Sequence, residues 1–530
     1  MSAPAESAGQ TLEIMKPYTR DHQARGHRRW RSLVVVLMGA FCFIYGMAWA
    51  LFAPYLIVLM AMPPALLSLV VIWALPDTKT APTRALVAFF FAFFVGMVMW
   101  PNYLALALPG LPWITVARLT GFPMAFMLLL CTAMSEEFRS RVATSLSATP
   151  WILRFLLTFL VIQTVLIAAS RSPFFSLDRY FIFQTNFTAI FFAACYVFVV
   201  PGRVTRMASL LWIMAISLGV IGIIEQREQH VPWVGHIPSF LQIEGERIQA
   251  ILMGARRAGD GIYRVQATYS TSLGLAEYLA LCMPFVMHFG FTTKSPWVRL
   301  AAIASVPFML YIVLITGSRL GMVGCLASFL LYTLIWSLLR WRQSKESLLE
   351  PAIALGYPAV FTVVMAATLF IGRIRTVVWG NGAATSSNMG RQIQMNMGLP
   401  KIWHHPWGYG PGTGASTLGY FDIGGLLTID SYFLNVALEY GVVGFIVYYG
   451  IFAIAVAYGA YLVLKFVRLT RELTFIIPAI ISIANFIIIK SVFSQEDNHP
   501  VVFMILGMIV VLCWRIRQEH PETGQAQSVA

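Results

Sequence analysis

Between Ser32 and Trp514 the chain returns again and again to apolar runs of about 17 to 23 residues, each long enough to cross roughly 30 Å of hydrocarbon as a helix. Backbone polar groups in lipid must be satisfied within the segment, so runs of this length leave little choice but the helix. Hydrophobic residues make up 58% and charged residues 11% of 530 positions, and the mean hydropathy is +0.73. These values exclude a soluble domain of this size. The fold class is therefore an all-α integral membrane protein of roughly 12–14 transmembrane helices. Two junctions are ambiguous. Leu33 to Leu75 reads either as one region or as two spans hinged near Ala53 and Pro54, and Leu104 to Met134 as one span preceded by a turn around Pro109 to Pro112.

Charge sets the expected topology. Residues 1–31 are polar and basic, with no short apolar core that reads as a cleavable signal. Arg25, Arg28, Arg29 and Arg31 precede the first span. Alternate loops carry Lys79 and Arg84, Arg139 and Arg141, Arg203 and Arg206, Arg340 and Arg342, Lys465 and Arg468, and finally Arg515 and Arg517. Positive charge collects on the cytoplasmic side, so an even number of spans with both ends inside fits. Much of the net charge of +14 is thereby explained by topology and not by nucleic-acid binding. The six cysteines lie scattered in apolar runs without metal-ligand spacing and read as core thiols.

This topology turns three polar regions to the outside together: Glu225 to Ser272, the Gly317-Ser318-Arg319 turn, and Gly372 to Ser431. The first is amphipathic in its middle, where Phe240, Leu241, Ile243, Ile248, Ile251 and Leu252 interleave with Glu244, Glu246, Arg247 and Gln249, a pattern suited to a helix lying in the interface. The last is polar and glycine-rich, containing GRQIQMNMGLPKIWHHPWGYGPGTG before IDSYFLNVALEYGVVGF. Irregular polar backbone in a membrane protein sits at the surface or lines a wet cavity, which makes this the place for chemistry or binding.

The outward cations are nearly all arginine: Arg171, Arg179, Arg227, Arg247, Arg256, Arg257, Arg264, Arg319, Arg373, Arg375 and Arg391, beside Lys401. Arginine is what bidentate phosphate recognition favours. Snorkelling to lipid headgroups suits Arg171, Arg179, Arg373 and Arg375. Arg319 and Arg391, set among small and polar residues, read instead as anion ligands. His404 and His405 stand in the loop as further proton acceptors or as packed residues. Trp403, Trp407 and Tyr409 suit stacking on sugar rings or anchoring at the interface. Gly408, Gly410, Gly412 and Gly414 lack phosphate-loop spacing and read as conformational.

The Thr316–Gly324 run TGSRLGMVG, the outward G-R followed by HPWGYGPG, and the D-S-x9-G-x-x-G run from Asp430 to Gly444 together resemble the O-antigen ligase and polymerase superfamily. The resemblance covers Arg264 to Gly444. It implies a glycosyltransferase that takes a glycan from an undecaprenyl-diphosphate carrier on the periplasmic face of the bacterial inner membrane, without nucleotide sugar. The absence of metal-ligand spacing in these loops predicts transfer without a metal or cofactor. Where the ligase pattern carries histidine, this chain has Asp430. The departure makes a polymerase at least as compatible as a ligase that transfers finished glycan to lipid A-core or another acceptor.

Such a reaction leaves negative charge on the diphosphate and needs a group to take the acceptor's proton. The catalytic candidates are Asp430, by its motif position, with Arg391, Arg319 and His405 by residue type and placement. Arg264, Arg256, Arg257, Trp407, Tyr409, Gly410 and Ser431 are the substrate-binding candidates. Asp430 also reads as the N-cap of the helix that follows. An Asp-bound divalent ion would draw on Asp422. Expected partners are the lipid-linked donor, a glycan or lipid acceptor, membrane lipids, and flippase and chain-length regulator proteins, with no nucleic acid.

The expected organisation is a cytoplasmic tail at 1–31, spans in 32–225, an amphipathic loop at 226–272, spans in 273–371, a catalytic loop containing short helices at 372–431, spans in 432–514 and a tail at 515–530. The rival class is a transporter or flippase, whose path would use Arg118, Glu277, Asn485 and Lys490.

Overall fold

Helix after helix is what an apolar backbone with no external hydrogen-bond partner must form. The computed structural model describes residues 36–37, 40, 44, 64, 67–78, 81–107, 113–243, 245–256, 261–343, 348–372, 385–421, 425, 427–466 and 468–520. Two compact units emerge, 1–70 with 108–111 and 71–107 with 112–530. In the first unit the described residues are helical, with the Ser68 hydroxyl bonded back to the Pro64 carbonyl. The proposed hinge near Ala53 and Pro54 lies outside the described residues.

The second unit runs α1 (Thr83–Met99), α2 (Val116–Met134), α3 (Glu136–Ser147), α4 (Pro150–Ala169), α5 (Pro173–Phe183), a π turn at Gln184–Thr188, α6 (Ala189–Val197) and α7 (Arg203–Glu228). It continues through α8 (Glu246–Leu252), the two-residue strands β1 (Ala255–Arg256) and β2 (Tyr263–Arg264), α9 (Ser272–Thr292), α10 (Pro296–Ile315), α11 (Arg319–Gln343) and α12 (Leu349–Phe370). The last part holds α13 (Thr385–His404), α14 (Gly414–Leu418), α15 (Tyr432–Lys465), α16 (Ile476–Lys490) and α17 (His499–Glu519). Among the described residues, 11 helical segments are long and apolar enough to span a bilayer. This is a multi-pass all-α membrane protein. The ambiguous Leu104–Met134 region resolves into one span, α2, preceded by a bridge between Leu106 and Ile114.

Sequence pattern sorts the helices into layers. α9, α16 and α17 are apolar nearly all round and are buried over most of their surface, as all-round hydrophobic helices must be. α2 instead keeps Leu119, Phe122, Phe126 and Leu129 exposed, an apolar face for lipid. The polar residues of the inner helices satisfy one another. Lys490 pairs with Glu277 at 2.8 Å, both fully buried, and the Asn485 amide donates to the Ala280 carbonyl and the Ser328 hydroxyl. Cys131, Cys195, Cys282, Cys325 and Cys513 are free and buried.

Side-chain ties gather the loop ends into two groups. At one end Tyr269 bonds Asn498, Ser431 bonds the Ser491 carbonyl, and Ser176 bonds the Pro411 carbonyl. At the other, Glu472 accepts from the Gly202 N–H and from Arg515, while His288 meets Thr474. The regions expected to face outward thus share an end, and basic loops expected inward share the other.

One expectation is corrected. The amphipathic stretch is not one helix: a 3-10 turn at Ser239–Leu241 and α8 are separate elements. Gly245, extended at the boundary, breaks the run before α8. Ile243 and Ile248 turn inward against Ala105.

Candidate functional site

The turn between α10 and α11 is shaped by small residues. Gly317 adopts φ +64°, and its Cα faces the Arg264 side chain so closely that a Cβ would lie 3.2 Å from the Arg264 Nε. That Nε donates to the Thr316 carbonyl at 2.8 Å. Ser318 caps the next helix by accepting from the Gly321 N–H, which leaves Arg319 as the first residue of α11. Arg264 and Arg319 therefore belong to one cluster at one helix head.

Glu225, which the sequence did not single out, holds this cluster's outer strand. Its fully buried carboxylate accepts from the Tyr263 hydroxyl at 2.7 Å, the Gln266 N–H at 3.0 Å and the Ala267 N–H at 2.6 Å. Ala267 sits at φ +50°, a left-handed conformation costing a side-chain-bearing residue about 1–3 kcal/mol. Charge-assisted bonds to a buried carboxylate offset that cost and fix the strand bearing Arg264.

Asp430 is clamped by a residue also missed in the sequence. Gln394 of α13 donates its amide to the Asp430 carboxylate at 3.3 Å and accepts from the Asp430 N–H at 2.9 Å. Arg391 precedes Gln394 by three residues on α13, and residues so spaced share a helix face. Asp430 does not cap α15. Ser431 does, accepting from the Leu434 N–H while donating to the Ser491 carbonyl. The Asp430 side chain is thus used elsewhere.

Further along α15 the helix breaks at Gly441, φ +69° and ψ −173°. The break strips carbonyls of their helical partners, and the loop after α13 supplies replacements: Tyr409 N–H donates to Leu438, Gly410 N–H to Glu439, and Val442 N–H to the Pro406 carbonyl. The two backbones cross so tightly that a Cβ on Gly408 would lie 2.6 Å from the Gly441 nitrogen, and one on Gly441 2.7 Å from the Gly408 nitrogen. His405 stacks edge-on against Tyr409 at 4.8 Å, and the Tyr409 hydroxyl donates to the Lys401 carbonyl. Lys401 itself closes the end of α14 through the carbonyls of Thr417 and Leu418. Trp403 and Trp407 remain 73% and 72% exposed, open to a sugar or to the interface.

Beneath this loop lies a polar cavity of about 180 Å³ whose walls include Arg179, Phe183, Tyr432, Asn435, Glu439 and Glu496. Glu439 accepts from the Gly414 N–H. Glu496 keeps accessible surface. Desolvation by the surrounding protein nonetheless holds its carboxyl above the ordinary range, and the charges of Arg179 and Lys490 oppose that rise. The cavity's carboxylates escaped sequence reading for clear reasons. Glu439 is one polar residue in the apolar stretch NVALEYGVVG, and Glu496 sits in a short loop 57 positions further on.

The sequence-derived residues fall into three places: Arg264 with Arg319, Arg391 with Asp430 and Ser431, and His405, Trp407, Tyr409 and Gly410 at the Gly441 break. The last two lie about three helical turns apart along α15. The Arg256 side chain, Arg257, Arg373, Arg375 and Asp422 lie outside the described residues.

Residues 304–449 match a family model described as O-antigen ligase. The matched stretch contains Arg319, Arg391, His405, Asp430 and Gly444, and ends within α15. No curated protein matches the chain.

Proposed function

We propose that this chain, whose residues 304–449 match a family model described as O-antigen ligase, lengthens an O-antigen or exopolysaccharide at the periplasmic face of the inner membrane. The donor is a glycan on undecaprenyl diphosphate and the acceptor the next lipid-linked repeat unit. The match over residues 304–449 supports a membrane glycosyltransferase-like enzyme with a lipid-linked donor and an acceptor. Flippase and chain-length regulator proteins are natural partners of such a reaction.

The observation that carries this reading is the Gln394 clamp, which fixes a carboxylate, Asp430, in register with Arg391 on the facing helix. In the reaction the acceptor hydroxyl oxygen attacks the anomeric carbon and the carbon–oxygen bond to the diphosphate breaks. The diphosphate departs with the electron pair, and the hydroxyl proton passes to Asp430. Arg391 and Arg319, with Arg264, match the charge that develops on the leaving diphosphate. Trp407, Tyr409 and Gly410 line the approach of the glycan, and His405 is the reserve proton acceptor. The bond broken is already activated by the diphosphate, so these groups supply the proton and charge balance by themselves.

Ligation of finished glycan to another acceptor is the second reading, favoured by the description of the matched family. Deleting the gene and sizing both surface polysaccharide and its lipid-linked precursor separates the two. Loss of a polymerase leaves single repeat units; loss of a ligase leaves long chains undelivered on the carrier. Unchanged polysaccharide and precursor would overturn both. A transport pathway is disfavoured because Glu277, Lys490 and Asn485 are already paired inside the bundle.

A further inference from the structure

The cavity under the loop is built from chain segments far apart in sequence. Arg179 comes from α5, Phe187 from the π turn, Gly412 from the loop, Glu439 from α15 and Glu496 from the turn before α17. A π turn interrupting an otherwise helical span is rare and frequently marks a functional site. Here it brings Phe187 to the wall, beside Phe183. A second polar line reaches the same wall: Gln184 donates to Gln163, and Gln163 donates to the Tyr440 hydroxyl.

Its chemistry differs from that of the arginine clusters. Two carboxyl groups, Glu439 and Glu496, face the single guanidinium of Arg179, so the wall lacks the paired arginines that grip a diphosphate. Carboxylates accept hydrogen bonds from hydroxyls, Arg179 and Asn435 donate, and aromatic walls cover an apolar ring face. That combination fits a neutral, hydroxyl-rich ring. The lip of the cavity is kept open by glycine: a Cβ on Gly412 would meet the Arg179 and Phe175 side chains. The position also suits an extended glycan, since Glu439 lies nine residues beyond Asp430, about two and a half turns down α15.

The turn carrying Glu496 is held from behind. Lys490, paired with Glu277, also donates to the Gln495 carbonyl, and Asn498 donates to the Gly274 carbonyl and to Glu277. Tyr269 closes the group through its bond to Asn498. A short loop so heavily tied beneath is placed for what its exposed side presents.

We propose that this cavity is the subsite for one sugar ring of the acceptor glycan, with Glu496 and Arg179 as its polar contacts. The proposal rests on the transfer reading above and adds to it the place where the acceptor is held.

The test uses the full-length protein in detergent and, as probe, soluble oligosaccharide released by mild acid from the polysaccharide of the producing cell. Binding is measured without donor for the wild type, Glu496→Gln and Arg179→Gln. Undecaprenyl diphosphate alone serves as the carrier probe, and unfolding midpoints verify folding. Both variants are expected to weaken oligosaccharide binding about ten-fold or more, the effect of losing a charged hydrogen bond, and to leave carrier binding unchanged. With turnover, KM for the acceptor should rise while KM for the donor holds. Wild-type oligosaccharide binding in both variants overturns the subsite, as does a rise confined to the donor KM. Should Glu496→Gln fail to fold, Arg179→Gln, altered at an exposed residue, decides alone. A wild type that binds oligosaccharide through these residues but transfers nothing would sink the transfer reading and leave the subsite standing. A wild type that transfers while both variants bind normally would do the reverse.

Discussion

Gly408 and Gly441 cross backbone to backbone with no room for a Cβ on either. One lies in the HPWGYG loop and the other opens the G-x-x-G pair, so two motifs separated by 33 positions in sequence are halves of one joint. The loop's N–H groups complete the broken helix, and the broken helix fixes the loop.

Alanine at either position should therefore be severe. Each has a left-handed φ, +94° for Gly408 and +69° for Gly441, costing about 1–3 kcal/mol in strain before the collision is counted. Gly408→Ala and Gly441→Ala are expected to lower the unfolding midpoint and to open the loop to protease. Gly356→Ala, where a Cβ meets nothing within 4 Å, should match the wild type in both measurements.

Ser431 and Asp430 should separate structure from chemistry. Ser431→Ala loses the cap and the bond to the Ser491 carbonyl, at about 1 kcal/mol for the cap. The thermal midpoint should fall, with chemistry at matched folded protein largely retained. A variant as stable as the wild type would show that the cap contributes little.

Arg319→Ala and Arg391→Ala should abolish transfer while the protein still inserts and accumulates. Lysine should rescue poorly, because a point charge cannot reproduce two parallel hydrogen bonds to a diphosphate. Near wild-type turnover by both alanine variants with purified lipid-linked donor would remove them from the reaction.

The buried Glu277–Lys490 pair predicts strong non-additivity. Lys490→Met strands a carboxylate in the bundle core and should cost about 3–5 kcal/mol, whereas the double variant Glu277→Leu, Lys490→Met should recover much of that loss. Unfolding in detergent measures both. A double variant whose loss equals the sum of the Glu277→Leu and Lys490→Met losses would mean that the pair is not coupled.

The spans, the buried thiols and the convergence of loop ends were legible because each follows from apolar length or loop charge. The motifs drew attention to the stretch from Gly390 to Gly444 because polar glycine-rich backbone has no place in lipid. What they could not give was partnership. Gln394 looked like any polar residue of an unremarkable helix, yet it holds Asp430. Asp430 read as the cap residue, and only geometry gives the cap to Ser431. Glu225 sits at the end of an apolar run and is paired across 42 positions with Ala267. Glu496 joins Arg179 and Glu439 only through the packing of three separate segments, which no local pattern encodes.

The most direct test of the central claim is turnover of Asp430→Asn with purified undecaprenyl-diphosphate-linked repeat unit, at matched folded protein. Asparagine preserves size and polarity beside Gln394 but cannot take a proton. Wild-type protein should convert the repeat into longer lipid-linked chains with release of undecaprenyl diphosphate, and the asparagine variant should be slower by about 10²-fold or more. Unchanged turnover in the variant would eliminate Asp430 as the proton acceptor and move that role to His405. A wild type that releases no undecaprenyl diphosphate from the lipid-linked donor, with or without added acceptor, would contradict the account at its root.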